Sequence, residues 1–89
     1  MKLTCRVKVK NALGLHTRPA TLIVKILQDC RSNVTFTYKN VTINAKSILS
    51  ILMLALRKNS TIIIGVEGVD ARETMNKLVE GFNSRFGEA

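Results

Sequence analysis

Apolar and polar residues alternate from residue 3 to residue 10. Leu3, Cys5, Val7 and Val9 take one side, and Thr4, Arg6, Lys8 and Lys10 the other. A period of two over eight residues predicts a half-buried strand with a basic outer face. Residues 11–14 break this pattern, and from Thr17 the period changes. Ala20, Ile23, Val24 and Leu27 fall at i, i+3, i+4 and i+7, the stripe of an amphipathic helix. Pro19 lies in its first turn, where a missing N–H costs nothing. Alternation returns at Val34, Phe36 and Tyr38, pauses at Lys39-Asn40, and resumes at Val41 and Ile43, which predicts a β-hairpin. Ser47 opens a short, very apolar helix expected to run to about Leu56, with Asn59 as its left-handed terminator. The β-branched run at 61–66 predicts a strand in the middle of the sheet. Asp70-Ala71-Arg72-Glu73 fits a capping box with Asp in the Ser/Thr position. Met75, Leu78, Val79 and Phe82 then form a last helical stripe.

The resulting order, βαββαβα, predicts one α+β domain over residues 1–89. Helices and sheet, each with one apolar face, resolve into an open-faced two-layer sandwich. We expect a four-stranded, largely antiparallel sheet covered by three helices. With 89 residues there is room for one core and no second lobe.

Composition narrows the function classes. The longest unbroken apolar run, residues 51–56, is far short of the roughly 18 residues a membrane span needs. Basic residues interrupt the first ten positions, unlike a signal peptide, so a cytoplasmic protein without membrane insertion is expected. Cys5 and Cys30 lack the neighbours of a zinc site, and Cys5 sits on the apolar side of its strand as a small hydrophobe. Charge is unevenly divided. Residues 1–46 carry nine basic side chains against the single acid Asp29, while residues 47–89 balance at five against five. The whole excess of +8 therefore lies in the first half, where it favours encounter with anionic partners.

That half contains His16, the only histidine. One histidine without a Cys or carboxylate cluster does not make a metal site. Nor is there a Ser or Cys nucleophile motif for a hydrolytic triad. What remains is an imidazole just ahead of a helix, with Arg18 two residues on. Helix N-terminal N–H groups point out of the first turn unsatisfied and bind anions. Gly14 allows a tight backbone approach, and Thr17 adds a hydroxyl. A neutral imidazole here is a usable nucleophile, and Arg18 with the helix end can hold the oxygens of a phosphoryl group it carries. A plain helix cap is the simpler alternative for a lone histidine.

The run Asn11-Ala12-Leu13-Gly14-Leu15-His16-Thr17-Arg18-Pro19-Ala20 resembles the active-site signature of the HPr family, the histidine phosphocarriers of the bacterial phosphoenolpyruvate-dependent sugar phosphotransferase system. Asn44-Ala45-Lys46-Ser47-Ile48-Leu49 resembles that family's serine site, and the likeness spans essentially the whole chain. It implies a carrier rather than an enzyme, monomeric and without a cofactor. Enzyme I would pass a phosphoryl group to a ring nitrogen of His16, usually Nδ1, with Arg18 assisting. The carrier would then hand it to the A domain of a sugar-specific permease. In one branch of the family an HPr kinase/phosphorylase phosphorylates the position of Ser47. The paralogous carrier of the nitrogen-related branch shares the histidine motif. Family members commonly have glycines where this chain has Ala55 and Asn59, and a net +8 is high for the family.

Ser47 also suits a plain helix N-cap. The helix behind it supplies an independent pointer, because eight of the nine residues from 48 to 56 are apolar. With Ile51 and Leu54 assigned to the core, Ile48, Leu49 and Leu52 are expected to form an exposed apolar patch. Leu22 and Ile26, off the stripe of the first helix, would join it, with Arg18, Lys25 and Lys46 as a basic rim. Two other functions fit less well. A regulatory module switched at Ser47 would leave His16 idle. An RNA-binding sheet would need exposed aromatics, for which only Phe36 and Tyr38 are available.

Overall fold

A computed structural model describes residues 1–89. The strands are β1 (Lys2–Lys8), β2 (Asn33–Tyr38), β3 (Val41–Asn44) and β4 (Thr61–Glu67); the helices are α1 (Thr17–Leu27), α2 (Ile48–Met53) and α3 (Ala71–Asn83). The sheet runs β1-β4-β2-β3, and every neighbouring pair is antiparallel. The expected α+β sandwich is the observed fold. The β-branched strand β4 lies inside the sheet, with Ile62, Ile64 and Val66 buried on the helix side. All three helices cover that face, and the other face is open. Cross-strand partners share a side, so the register Phe36↔Ile64 and Phe36↔Ile43 places one apolar layer beneath α1 and α3. Phe36 meets Phe82 of α3 edge-on at 5.8 Å. Fully burying each such side chain stabilises the fold by roughly 1.5–3 kcal/mol.

Phe36 is therefore core, and Tyr38 is half-buried on the same side. The open face offers no aromatic platform for bases. Both cysteines are free thiols and half-buried.

Three local expectations are corrected. Helix α2 stops at Met53, because Ala55 takes φ +52 and turns the chain out of the helix. The turn is needed so that the carbonyl of Leu56 can accept the Leu15 N–H at 3.0 Å, which joins the end of α2 to the loop before α1. Asn59 is left-handed as well, at φ +75, but it belongs to the following turn and donates its N–H to the Val9 carbonyl. The capping box at Asp70 does not form. Its carboxylate instead accepts the Arg31 N–H at 2.7 Å and the Ser32 hydroxyl, pinning the loop between α1 and β2 to the start of α3. These bonds, the Arg31 N–H foremost, hold the Asp70 carboxyl below its ordinary pKa. Glu73, the other half of the expected box, faces Lys77 at 3.5 Å. Finally, a left-handed turn at Arg85–Gly87 follows α3, which the hydrophobic pattern does not announce.

Candidate functional site

Gly14 sets the site. Its φ is +70, and a Cβ there would lie 2.0 Å from the Leu56 carbonyl oxygen. Only glycine lets the loop press against the end of α2 and then rise into α1. Leu15 anchors the next step in the core, and His16 becomes the N-cap residue of α1 with extended backbone. Its carbonyl accepts the Ala20 N–H at 3.1 Å, but its side chain caps nothing.

The start of α1 is thus left open. The amides of Thr17 and Arg18 have no partner, and Pro19 at the third helical position has no N–H to offer. Two unsatisfied donors at the positive end of a helix form an anion-attracting corner. The Arg18 side chain is exposed and makes no ion pair. The Thr17 carbonyl accepts the Thr21 hydroxyl, while Thr17 itself is exposed.

The imidazole of His16 is one-third exposed, and its Nε2 lies 2.8 Å from Oε2 of Glu88. Nδ1 makes no hydrogen bond. Glu88 reaches the ring because the chain doubles back after α3. Arg85, Phe86 and Gly87 take φ values of +57, +49 and +80. The left-handed conformation costs the two non-glycine residues about 1–2 kcal/mol each. Packing of Phe86 offsets this. Its ring is buried, stacks edge-on against Phe82 at 5.0 Å, and fills a slot left by Gly81, where a Cβ would sit 2.3 Å from Phe86 Cε1. Asn11, fully buried, closes the arrangement: its Nδ2 donates to the Arg85 carbonyl at 2.8 Å and to Glu88 Oε1 at 2.6 Å. The Asn11 bond, with further help from the His16 ring and the Arg18 charge, holds the Glu88 carboxyl below its ordinary pKa. Arg18 and Glu88 line one shallow depression together with Ala12, Leu13 and Gly87.

The proposed docking residues separate into two groups. Leu49 is two-thirds exposed, at 66%, whereas Ile48 and Leu52 are half-buried against the core. Ile51 is fully buried, as expected, and Leu54 only partly. Met53, one turn beyond Leu49 and 75% exposed, is an apolar surface residue that the hydrophobic pattern did not single out. Leu22 and Ile26 are half-buried and line a groove between α1 and α3, with Lys77, Gly81 and Phe86. Lys25 is exposed, and Lys46 reaches the Cys30 carbonyl at 3.4 Å. Ser47 caps α2, its hydroxyl accepting the Ser50 N–H at 3.2 Å. No cluster of His, Cys, Asp and Glu could hold a metal ion, and no helix is long and apolar enough to cross a membrane. Asn11 and Glu88 are the members of the site that sequence reasoning missed. Asn11 opens the signature run without a role assigned to it, and the sequence signal for Glu88 is Phe86, four residues after Phe82 with Gly87 behind it.

An open-faced α+β sandwich with a histidine at the start of its first helix fits the class of small phosphocarriers. Comparison with known proteins places the chain within it. The model of the PTS-HPr family, the HPr component phosphorylation site, matches residues 3–84. The phosphocarrier protein HPr of Chlamydia muridarum is 46% identical over 82 residues, covering 90% of this chain and 77% of that protein. The crystal structure of HPr-C-His from Thermoanaerobacter tengcongensis superposes with a TM-score of 0.94 at 33% identity, covering 98% of both chains. That of an HPr from Bacillus anthracis gives 0.84 at 35% identity, covering 89% of this chain and 94% of the other. This chain belongs to the HPr family of phosphocarriers of the phosphotransferase system.

Proposed function

We propose that His16 is the phosphoryl acceptor, that Enzyme I is the donor, and that the group passes on to the A domains of sugar-specific permeases. The observation that carries this reading is the uncapped start of α1. There His16 heads the helix with Nδ1 unpartnered, the amides of Thr17 and Arg18 are unpaired, and the Arg18 side chain is exposed without an ion pair. The amides and the guanidinium are suited to hold phosphoryl oxygens by charge-assisted bonds. Nothing in this corner turns over a substrate. Transfer depends on a partner presenting its own phosphorylated or acceptor group in line, so the protein's contribution is position and charge.

The docking face is α2 with the loop before α1. Leu49, Met53 and Leu13 are exposed apolar side chains, and the Leu15–Leu56 bond keeps that loop against the end of α2. Arg18, Lys25 and Lys46 supply positive charge around it, which speeds encounter with an acidic partner surface. Ser47 is the regulatory position. A phosphate there would replace its cap with a stronger acceptor and add negative charge two residues from Leu49. Refolding would be slight, and the main effect would be weaker docking.

The test is incubation with Enzyme I and labelled phosphoenolpyruvate. Acid-labile label is expected on the wild-type chain and none on His16→Ala. Absence of label on the wild type, or its persistence on the variant, would overturn the carrier assignment.

A further inference from the structure

We infer that Glu88 is a positioning residue for phosphoryl transfer: it fixes the proton on Nε2 of His16, aims Nδ1 outward as the nucleophile, and offsets the positive charge the ring acquires. The inference rests on His16 being the acceptor. It concerns a segment beyond the residues matched by the family model, which end at 84.

Four features of the structure converge on Glu88. An ionised carboxylate only accepts hydrogen bonds, so at 2.8 Å the Nε2 atom is the donor and carries the ring proton. In a neutral imidazole this leaves the lone pair on Nδ1, the nitrogen without a partner. Next, the carboxylate is itself fixed. Its other oxygen receives the Nδ2 of buried Asn11, whose remaining N–H holds the Arg85 carbonyl. Third, the chain adopts three successive left-handed residues to deliver Glu88, and the ring of Phe86 locks that bend into the Gly81 slot. Last, Nε2 and Nδ1 lie on different edges of the ring. The carboxylate therefore engages one ring nitrogen and leaves the other without a partner.

During transfer the Nδ1 lone pair forms the new N–P bond. The donor's bond to phosphorus breaks, and its electron pair leaves with the donor. No proton is lost from Nε2, so the phosphorylated ring carries one positive charge, bonded directly to the Glu88 carboxylate. In the onward step the N–P electrons return to Nδ1 and the ring becomes neutral again. An orienting carboxylate of this kind acts through the imidazole, as the buried acid of a hydrolytic triad does.

The experiment compares wild type, Glu88→Gln and Glu88→Ala by 15N NMR of the His16 ring and by the rate of phosphoryl uptake from Enzyme I. Phe86 remains in both variants, and thermal unfolding verifies that they fold. The wild-type ring should show the Nε2–H tautomer. Both variants should show a measurable Nδ1–H fraction and an uptake rate lower by on the order of 10-fold, with label still on His16. Unchanged ring signals and rate would overturn the inference. So would a faster rate, which would make Glu88 an obstacle, or a changed tautomer with an unchanged rate, which would make the contact merely structural. If the wild type takes no label at His16, the carrier reading itself fails, and the proposal falls with it. A labelled wild type with indifferent variants sinks only the role of Glu88.

Discussion

Helices α1 and α2 begin in similar sequence settings and finish their first turns in opposite ways. Ser47 at the start of α2 turns its hydroxyl onto the Ser50 N–H, so that end is closed by its own side chain. His16 at the start of α1 turns its ring away, onto Glu88, and leaves the Thr17 and Arg18 amides open. A helix end that caps itself contributes stability. One that does not must be held in place by something else, and here Gly14 and Leu15 do so through the Leu56 carbonyl. The open end forgoes the ~1 kcal/mol a good cap supplies, and what it keeps instead is two unpaired N–H donors.

This contrast can be broken in order of size. The largest effect should come from His16→Ala on function, with complete loss of acid-labile label. Its unfolding temperature should move by only a few degrees, since no cap is lost. Gly14→Ala should have the largest effect on stability. It forces a Cβ into the Leu56 carbonyl at a left-handed position and should cost about 3 kcal/mol, lowering the unfolding temperature by more than ~10 °C. Calorimetry beside the labelling assay would separate these two outcomes.

Leu49→Glu tests the face that the two helix starts share. Uptake from Enzyme I, measured as kcat/KM, should fall about 10-fold while the unfolding temperature stays within ~2 °C, because the side chain is already exposed. An unchanged kcat/KM would remove α2 from the docking surface. Ser47→Ala should do the reverse of His16→Ala. It should leave labelling intact and cost about 1 kcal/mol, a fall of roughly 4–8 °C.

The smallest effect concerns the third helix start, where Asp70 serves neighbouring chain rather than its own helix. Its carboxyl is held low by the Arg31 N–H and the Ser32 hydroxyl. A depressed acid stabilises the fold fully above its unfolded pKa, near ~3.9, and that contribution disappears as pH falls through the lower folded value. Asp70→Asn should therefore lower stability at neutral pH and narrow its difference from wild type in acid. A difference that stays constant down to pH ~2 would refute this assignment.

Much of this was legible along the chain, for identifiable reasons. The switch from period two to period 3.6 located β1 and α1, and Gly14, His16 and Pro19 marked the tight loop and first turn where α1 begins. Leu49 was readable because α2 has more apolar residues than one buried face can use. Met53 belongs to the same surplus, but the expected helix ran past it to Leu56 and so obscured which side it would occupy. The end of α2 could not be read, since Ala55 is an ordinary helix former that goes left-handed only because a distant loop needs the Leu56 carbonyl. The capping box at Asp70 failed similarly, its carboxylate drawn to partners 38 and 39 residues away.

The sequence by itself thus determined the layers, the order of the elements and the place of His16 at the start of α1, since these follow from local periodicity and from residues within one turn of each other. Only the tertiary structure decided what Nε2 of His16 faces. The contacts among Asn11, His16 and Glu88 span 72 and 77 residues. They exist because Phe86 packs into the Gly81 slot and bends the chain back. No local pattern encodes a bond whose two halves meet only after the core has closed.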